Sequence, residues 1–376
     1  MNVDVRQEAA AVYQEYIDLI ETLCAVPAPL HGEGARARFV LDWLEKNGLN
    51  GGRIDKSGNV IFPYNCNGEK YIAFTAHMDT VFLETDPFAV THEGSVAKCP
   101  GIGDDTANMA AMLLLARWAI HKQVQFDHPL LFVWDTGEEG LGDLRGVRGL
   151  MEDYAGHIAA LVALDAVYPN MVNSAVGSVR YRITIETAGG HSYRNFGSPN
   201  AIERMAALIE TFYQQLLPEI EGCTTTFNVG VVSGGTSVNT IAQSAELLYE
   251  FRSDRLEGLE RMDAQMRRIL QEAEKTCSRL TFEEIGRRPA GGAPASGQAA
   301  LEQHWIDAVA AILPDRKVKA MAGSTDCNIP LSQGIPAICI GGYRGGAAHT
   351  HEEWIDYDSL ETGYALLLRF LTSFAQ

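Results

Sequence analysis

Four short apolar runs recur along the chain with helical stretches between them: YIAFTA (71–76), HPLLFVWDT (128–136), IAALVALDA (158–166) and IPAICIGG (335–342). Continuous apolar runs of this length are what strands buried on both faces require. Helical periodicity at 8–24, 34–47, 106–121 and 358–374 separates and flanks them. The alternation predicts an α/β domain whose mostly parallel sheet is flanked by helices. Each run also ends in chemistry. His77 and Asp79 follow the first, Glu138 and Glu139 the second, Asp165 closes the third, and His349 follows the fourth through a glycine-rich loop. In an open parallel sheet, sites form at the carboxyl ends of strands, so these residues are expected at one sheet edge.

The texture changes near residue 177. Residues 179–187 alternate polar and apolar, as a half-exposed strand does. A helix at 199–217, strands at 225–232 and 245–252, a helix at 256–275 and a strand at 280–284 complete the order β-α-β-β-α-β of a ferredoxin-like α+β sandwich. The stretch RRPAGGAPASG (287–297) reads as the way out, followed by a helix at 298–312 and a short strand around 317–321. The expected organisation is a catalytic domain formed by 1–176 and 289–376, with residues 177–288 inserted as a second domain. A length of 376 residues agrees with two domains.

The formal net charge of −18 argues against nucleic acid as a partner, because phosphate binding needs a basic surface. It also argues, with less force, against docking on anionic membranes. No uninterrupted apolar run reaches membrane-spanning length. The N-terminal stretch is an acidic amphipathic helix with no signal-peptide pattern. Seven scattered cysteines without a C-x-x-C pair suit free thiols in a reducing compartment, so the expected location is the cytoplasm.

Taken singly, the acidic and histidine residues have plain readings: a strand-end histidine is commonly structural, a Glu-Glu pair a solvated turn, Asp165 a helix cap. PGIGDDT (100–106), with two carboxylates opening a helix, suits an N-cap. Taken together they suggest a metal site. His77 and Asp79, two apart at a strand end, project the same way, and a metal-binding imidazole is commonly oriented by a carboxylate. Asp104 is then a natural bridging ligand. Nitrogen and oxygen donors suit zinc, with cobalt or manganese as substitutes. The carboxylates of Asp104, Glu139 and Asp165 with one bridging hydroxide neutralise two zinc ions.

The segments HMDT, PGIGDDTAN, DTGEEG, LDA, GGHS and HTHEEW, in this order, resemble the dinuclear zinc peptidase family of peptidase T, carboxypeptidase G, aminoacylase and succinyl-diaminopimelate desuccinylase. The resemblance spans nearly the whole chain. It implies a zinc-binding α/β domain interrupted by a ferredoxin-like lid through which two copies dimerise. It further implies that His77, Asp104 and Asp165 hold one Zn2+ and that Asp104, Glu139 and His349 hold the other. Asp79 then orients His77, Glu138 is the general base, and the Asp104–Asp105 peptide is cis. His191, in GGHS, matches the lid histidine that reaches the partner subunit's site and polarises the scissile carbonyl. Asn239, Arg252 and Asp326 match positions that contact substrate; each also has a structural reading as a strand end, a lid ion pair or a turn cap.

Two departures stand out. Thr106 occupies a position where many members carry Lys. The pair His349 and His351 offers two candidates for the last ligand; His349, with Thr350 next and Glu353 four on, fits the family pattern better. The segments FNVGVVSGGTSVN and GSTDCNIPLSQGIPA resemble peptidase T-like members more than deacetylases. The expected activity is therefore metal-dependent amide hydrolysis in a di- or tripeptide. The alternative is deacylation of an N-acyl amino acid at the same site. A non-catalytic binding protein on this fold would have lost the base or ligands, and a dinuclear phosphoesterase would need a basic phosphate clamp.

Overall fold

The computed structural model describes residues 3–64, 69–292 and 295–376; Cys66 lies outside them. The chain divides into two compact units, Met1–Ala175 with Gly292–Gln376, and Val176–Gly291. The described cysteines form no disulfide. No helix among the described residues is long and apolar enough to cross a membrane.

The first unit is built on an eight-stranded sheet. Its strands run in the spatial order Arg53–Ile54, Val60–Tyr64, Leu130–Asp135, Tyr71–His77, Ile158–Leu164, Ala337–Ile340, Met171–Ala175, Ala320–Gly323. The four middle strands, from Leu130–Asp135 to Ala337–Ile340, are mutually parallel. These are the four apolar runs of the sequence. Helices cover both faces, which is why a strand such as Leu130–Asp135 is buried at every position. On one face, Asn108–His121 is buried nearly all round, between Val5–Cys24 and the sheet. On the other face lie Arg145–Asp153 and Asn328–Ser332, short helices that carry no long periodic signal.

The second unit is a four-stranded antiparallel sheet in the order Thr225–Gly234, Ser244–Ser253, Gly177–Glu186, Arg279–Arg288. With the helices Ala201–Gln214 and Leu256–Glu274 this is the ferredoxin-like arrangement. Val179, Tyr181, Ile183 and Ile185 are buried while Arg180, Arg182 and Thr184 are not, the period of two that the sequence carries. Met205, Leu208 and Phe212 from one helix and Leu259, Met262, Met266 and Leu270 from the other close the core at helical spacing.

Candidate metal centre

Parallel pairing does most of the assembly. His77 is the last residue of its strand and lies in register with Asp135, which puts the Asp135-Thr-Gly-Glu-Glu139 turn beside it. The Asp165 amide donates to the Ile340 carbonyl, so the third and fourth apolar strands end together. The PGIGDD loop reaches the same edge because its glycines allow it. Gly101 takes a φ of +72°, and a Cβ on Gly103 would sit 2.7 Å from the Tyr343 hydroxyl. The Asp104–Asp105 peptide is cis.

Asp104 sits at the centre. One carboxylate oxygen is 2.9 Å from His77 Nε2 and the other is 3.0 Å from His349 Nε2. Asp165 flanks the first histidine at 3.8 Å, and Glu139 flanks the second at 3.1 Å. Burial alone would raise the Asp104 carboxyl, but His349 and His77 override it and hold it well below the usual carboxylate range. The carboxylates of Asp104 and Glu139 push the His349 imidazole up to about 11. Burial raises Asp165 to about 6, against the pull of His77.

This arrangement fits a divalent metal. The donor atoms of His77, Asp104 and Glu139 lie within 4.8 Å of one another, as do those of His77, Glu138 and Asp165. Two imidazole nitrogens converge on one carboxylate, with further oxygens on each side. That is a mixed N/O donor set of the zinc class. Glu138 is buried with its carboxylate in the same space.

The supports differ from the simplest expectation. His77 Nδ1 lies 2.9 Å from the Asp79 backbone carbonyl, while the Asp79 carboxylate is 3.8 Å away. The carboxylate instead accepts the backbone N–H groups of Glu138 at 3.1 Å and Glu139 at 2.9 Å, and so holds the Glu-Glu turn. Asp105 joins the His77 amide to the Asn108 side chain. Glu353 accepts three backbone N–H groups, from Gly101 at 2.9 Å and from Gly103 and Asp104 at 2.8 Å. In the sequence, Glu353 distinguishes His349 from His351; its spacing four residues after that candidate ligand is the signal that marks it as a clamp.

The remaining candidates are Asp326 in the first unit and His191, Asn239 and Arg252 in the second. Asp326 is buried beside Thr75 and Asp135. In the second unit, His191 pairs in register with Thr240 and the Ser192 amide donates to the Asn239 carbonyl, so His191 and Asn239 are neighbours. Tyr193, Phe196 and Val238 around them are almost fully exposed. Arg252 lies near the far end of the strand Ser244–Ser253 and forks onto Glu250 at 2.9 and 3.3 Å.

The sequence matches peptidase family M20/M25/M40 over residues 73–373. It is 23% identical to the succinyl-diaminopimelate desuccinylase of Corynebacterium glutamicum, covering 95% of this chain and 96% of that protein. It is 27% identical to the N-acetyldiaminopimelate deacetylase of Bacillus subtilis, over 61% of this chain and 65% of that one. A tripeptidase from Staphylococcus aureus has the same fold, with a TM-score of 0.78, 21% identity and coverage of 96% and 98% of the two chains.

Proposed function

Since this chain belongs to peptidase family M20/M25/M40 and is a metal-dependent hydrolase of that kind, we propose that it hydrolyses the amide bond of small peptides, releasing the N-terminal residue. The observation that carries the reading is Asp104 facing an imidazole with each oxygen, beside a buried Glu138. His77, Asp104 and Asp165 would hold one Zn2+; Asp104, Glu139 and His349 would hold a second. When bound, the pair supplies Lewis acidity, which polarises a carbonyl and acidifies water. Glu138 accepts the proton of the attacking water and returns it to the departing amine. Asp79 fixes the turn that keeps Glu138 at that position. His191 Nδ1 accepts the backbone N–H groups of Tyr193 at 3.2 Å and Arg194 at 3.5 Å. With Nδ1 accepting, Nε2 is left as the donor, suited to a developing oxyanion. Asn239 and Arg252 are assigned to substrate contact, and the burial of Asp326 beside Asp135 favours a supporting role for it.

Deacylation of an N-acyl amino acid is the second reading, favoured by the two diaminopimelate deacylases. The tripeptidase of the same fold favours the first. One experiment separates them: amino-acid release from free di- and tripeptides and from N-acetyl and N-succinyl amino acids, with zinc, with chelator, and with cobalt or manganese restored. Chelator-sensitive cleavage of free peptides is the expected result. Cleavage of the acylated set alone would establish the deacylase, and no release from either set would reject both.

The second unit is assigned to a homodimer. Its sheet ends in the strand Thr225–Gly234, exposed along most of its length, with Val231 and Val232 on the open edge. Such an edge is a template for pairing. Light scattering is expected to give a dimer that Val231→Lys with Val232→Lys converts to monomer. A wild-type monomer at micromolar concentration would reject the assignment. Free thiols agree with a reducing, cytoplasmic location.

A further inference from the structure

A groove of about 690 Å³ opens beside His349, walled by Val81, Phe82 and Leu83 and bounded by Glu84 and His351. These residues follow the His77–Thr80 segment directly and His349 completes the lining, so the groove adjoins the proposed ligands. Phe82 is buried, with its ring 5.9 Å from Phe88 and 5.2 Å from His351, which makes a fixed apolar floor. Leu83 is 81% exposed and forms an apolar wall. Among the described residues Glu84 carries the only carboxylate lining the groove, the imidazoles of His349 and His351 are its other polar groups, and no Lys or Arg lines it. Glu84 Oε1 is 3.4 Å from His351 Nε2, a long contact between half-exposed side chains. A carboxylate has about four acceptor positions, so this contact leaves Glu84 free to accept more.

Apolar sides with a carboxylate beyond them match a side chain with an aliphatic stem and a charged amine at its tip. Such side chains lay their methylenes on apolar surface and keep the ammonium on a polar partner. An acidic side chain or a succinyl carboxylate would meet Glu84 with like charge. We propose that this groove holds the substrate side chain next to the scissile amide and selects a cationic aliphatic one, of lysine or ornithine type. The inference rests on the hydrolase reading above and names its substrate class, whether the substrate is a free peptide or an N-acyl amino acid.

The test compares lysine with norleucine, which keeps the stem and lacks the ammonium. Pairs of free peptides and pairs of N-acetyl amino acids are assayed with wild-type enzyme, Glu84→Gln and Glu84→Lys. The expected result is a wild-type preference for lysine in kcat/KM of about tenfold, carried by KM, the size of one charge-assisted hydrogen bond. Glu84→Gln brings the ratio near one and Glu84→Lys inverts it. Calorimetry of free lysine and free norleucine with the zinc-loaded protein reads the same contrast without turnover. Turnover with equal use of lysine and norleucine, or a ratio unmoved by Glu84→Gln, overturns the groove and leaves the hydrolase standing. A lysine preference in binding without hydrolysis of any amide sustains the groove and removes the hydrolase reading.

Discussion

Replacing Glu138 by Gln is expected to leave metal content at the wild-type level and to lower turnover by ~10²–10⁴-fold, the usual contribution of a general base. The amide keeps the volume of the side chain and removes the proton acceptor. The backbone contact that seats this residue is unaffected, because it runs from the Glu138 N–H to the Asp79 carboxylate. Glu139→Gln is the control one residue away. Its carboxylate lies 3.1 Å from His349 Nε2, so its loss should reduce metal content together with activity. Metal analysis beside steady-state kinetics separates the two outcomes. Full turnover in Glu138→Gln, or metal loss equal to that of Glu139→Gln, would remove Glu138 from the role of base.

Glu353→Ala is expected to destabilise the protein by ~3 kcal/mol or more and to weaken metal binding by ~10–100-fold. The first figure follows from the three buried backbone N–H groups it strands, since each unsatisfied donor costs about 1–3 kcal/mol. The second is the usual effect of losing a residue that positions a ligand. One of the three donors is the amide of Asp104 itself. With Glu353 only 2% exposed, water does not readily take its place. Glu353→Gln keeps one acceptor oxygen and should fall between wild type and Ala. Chemical denaturation of the metal-free protein reads the first effect and zinc titration the second. Wild-type values for both in Glu353→Ala would show that the loop holds its shape unaided.

The sheet could be read from the chain because burial on both faces leaves a local trace. Tyr71–His77 and Leu130–Asp135 are predominantly apolar up to their last residue, and the period-two alternation of Val179, Tyr181, Ile183 and Ile185 marks a strand with one open face. The strand Met171–Ala175 and the helix Arg145–Asp153 were not legible, being short and lacking a sustained period. The sequence pattern places the start of the helix at Thr106, two residues before the observed one. Residues Ile102–Ala107 form a wide turn around the two aspartates, and the α-helix begins at Asn108. That difference arises because Asp104 and Asp105 have tertiary partners, His77 and His349 for one and the His77 amide for the other.

The sequence by itself determined which donors are present and which strand carries each, because strand ends are encoded by local apolar runs and the residues that stop them. It also determined the shared edge, since parallel strands of one sheet point their carboxyl ends the same way. Only the tertiary structure decided what each carboxylate does there. The Asp79 carboxylate takes the Glu138–Glu139 turn and leaves His77 to its carbonyl. Glu353 holds a loop 249 residues away in the chain. Asp326 is buried beside Thr75 and Asp135. Hydrogen bonds between loops depend on where each loop's backbone finally lies, and no periodicity in the chain records that.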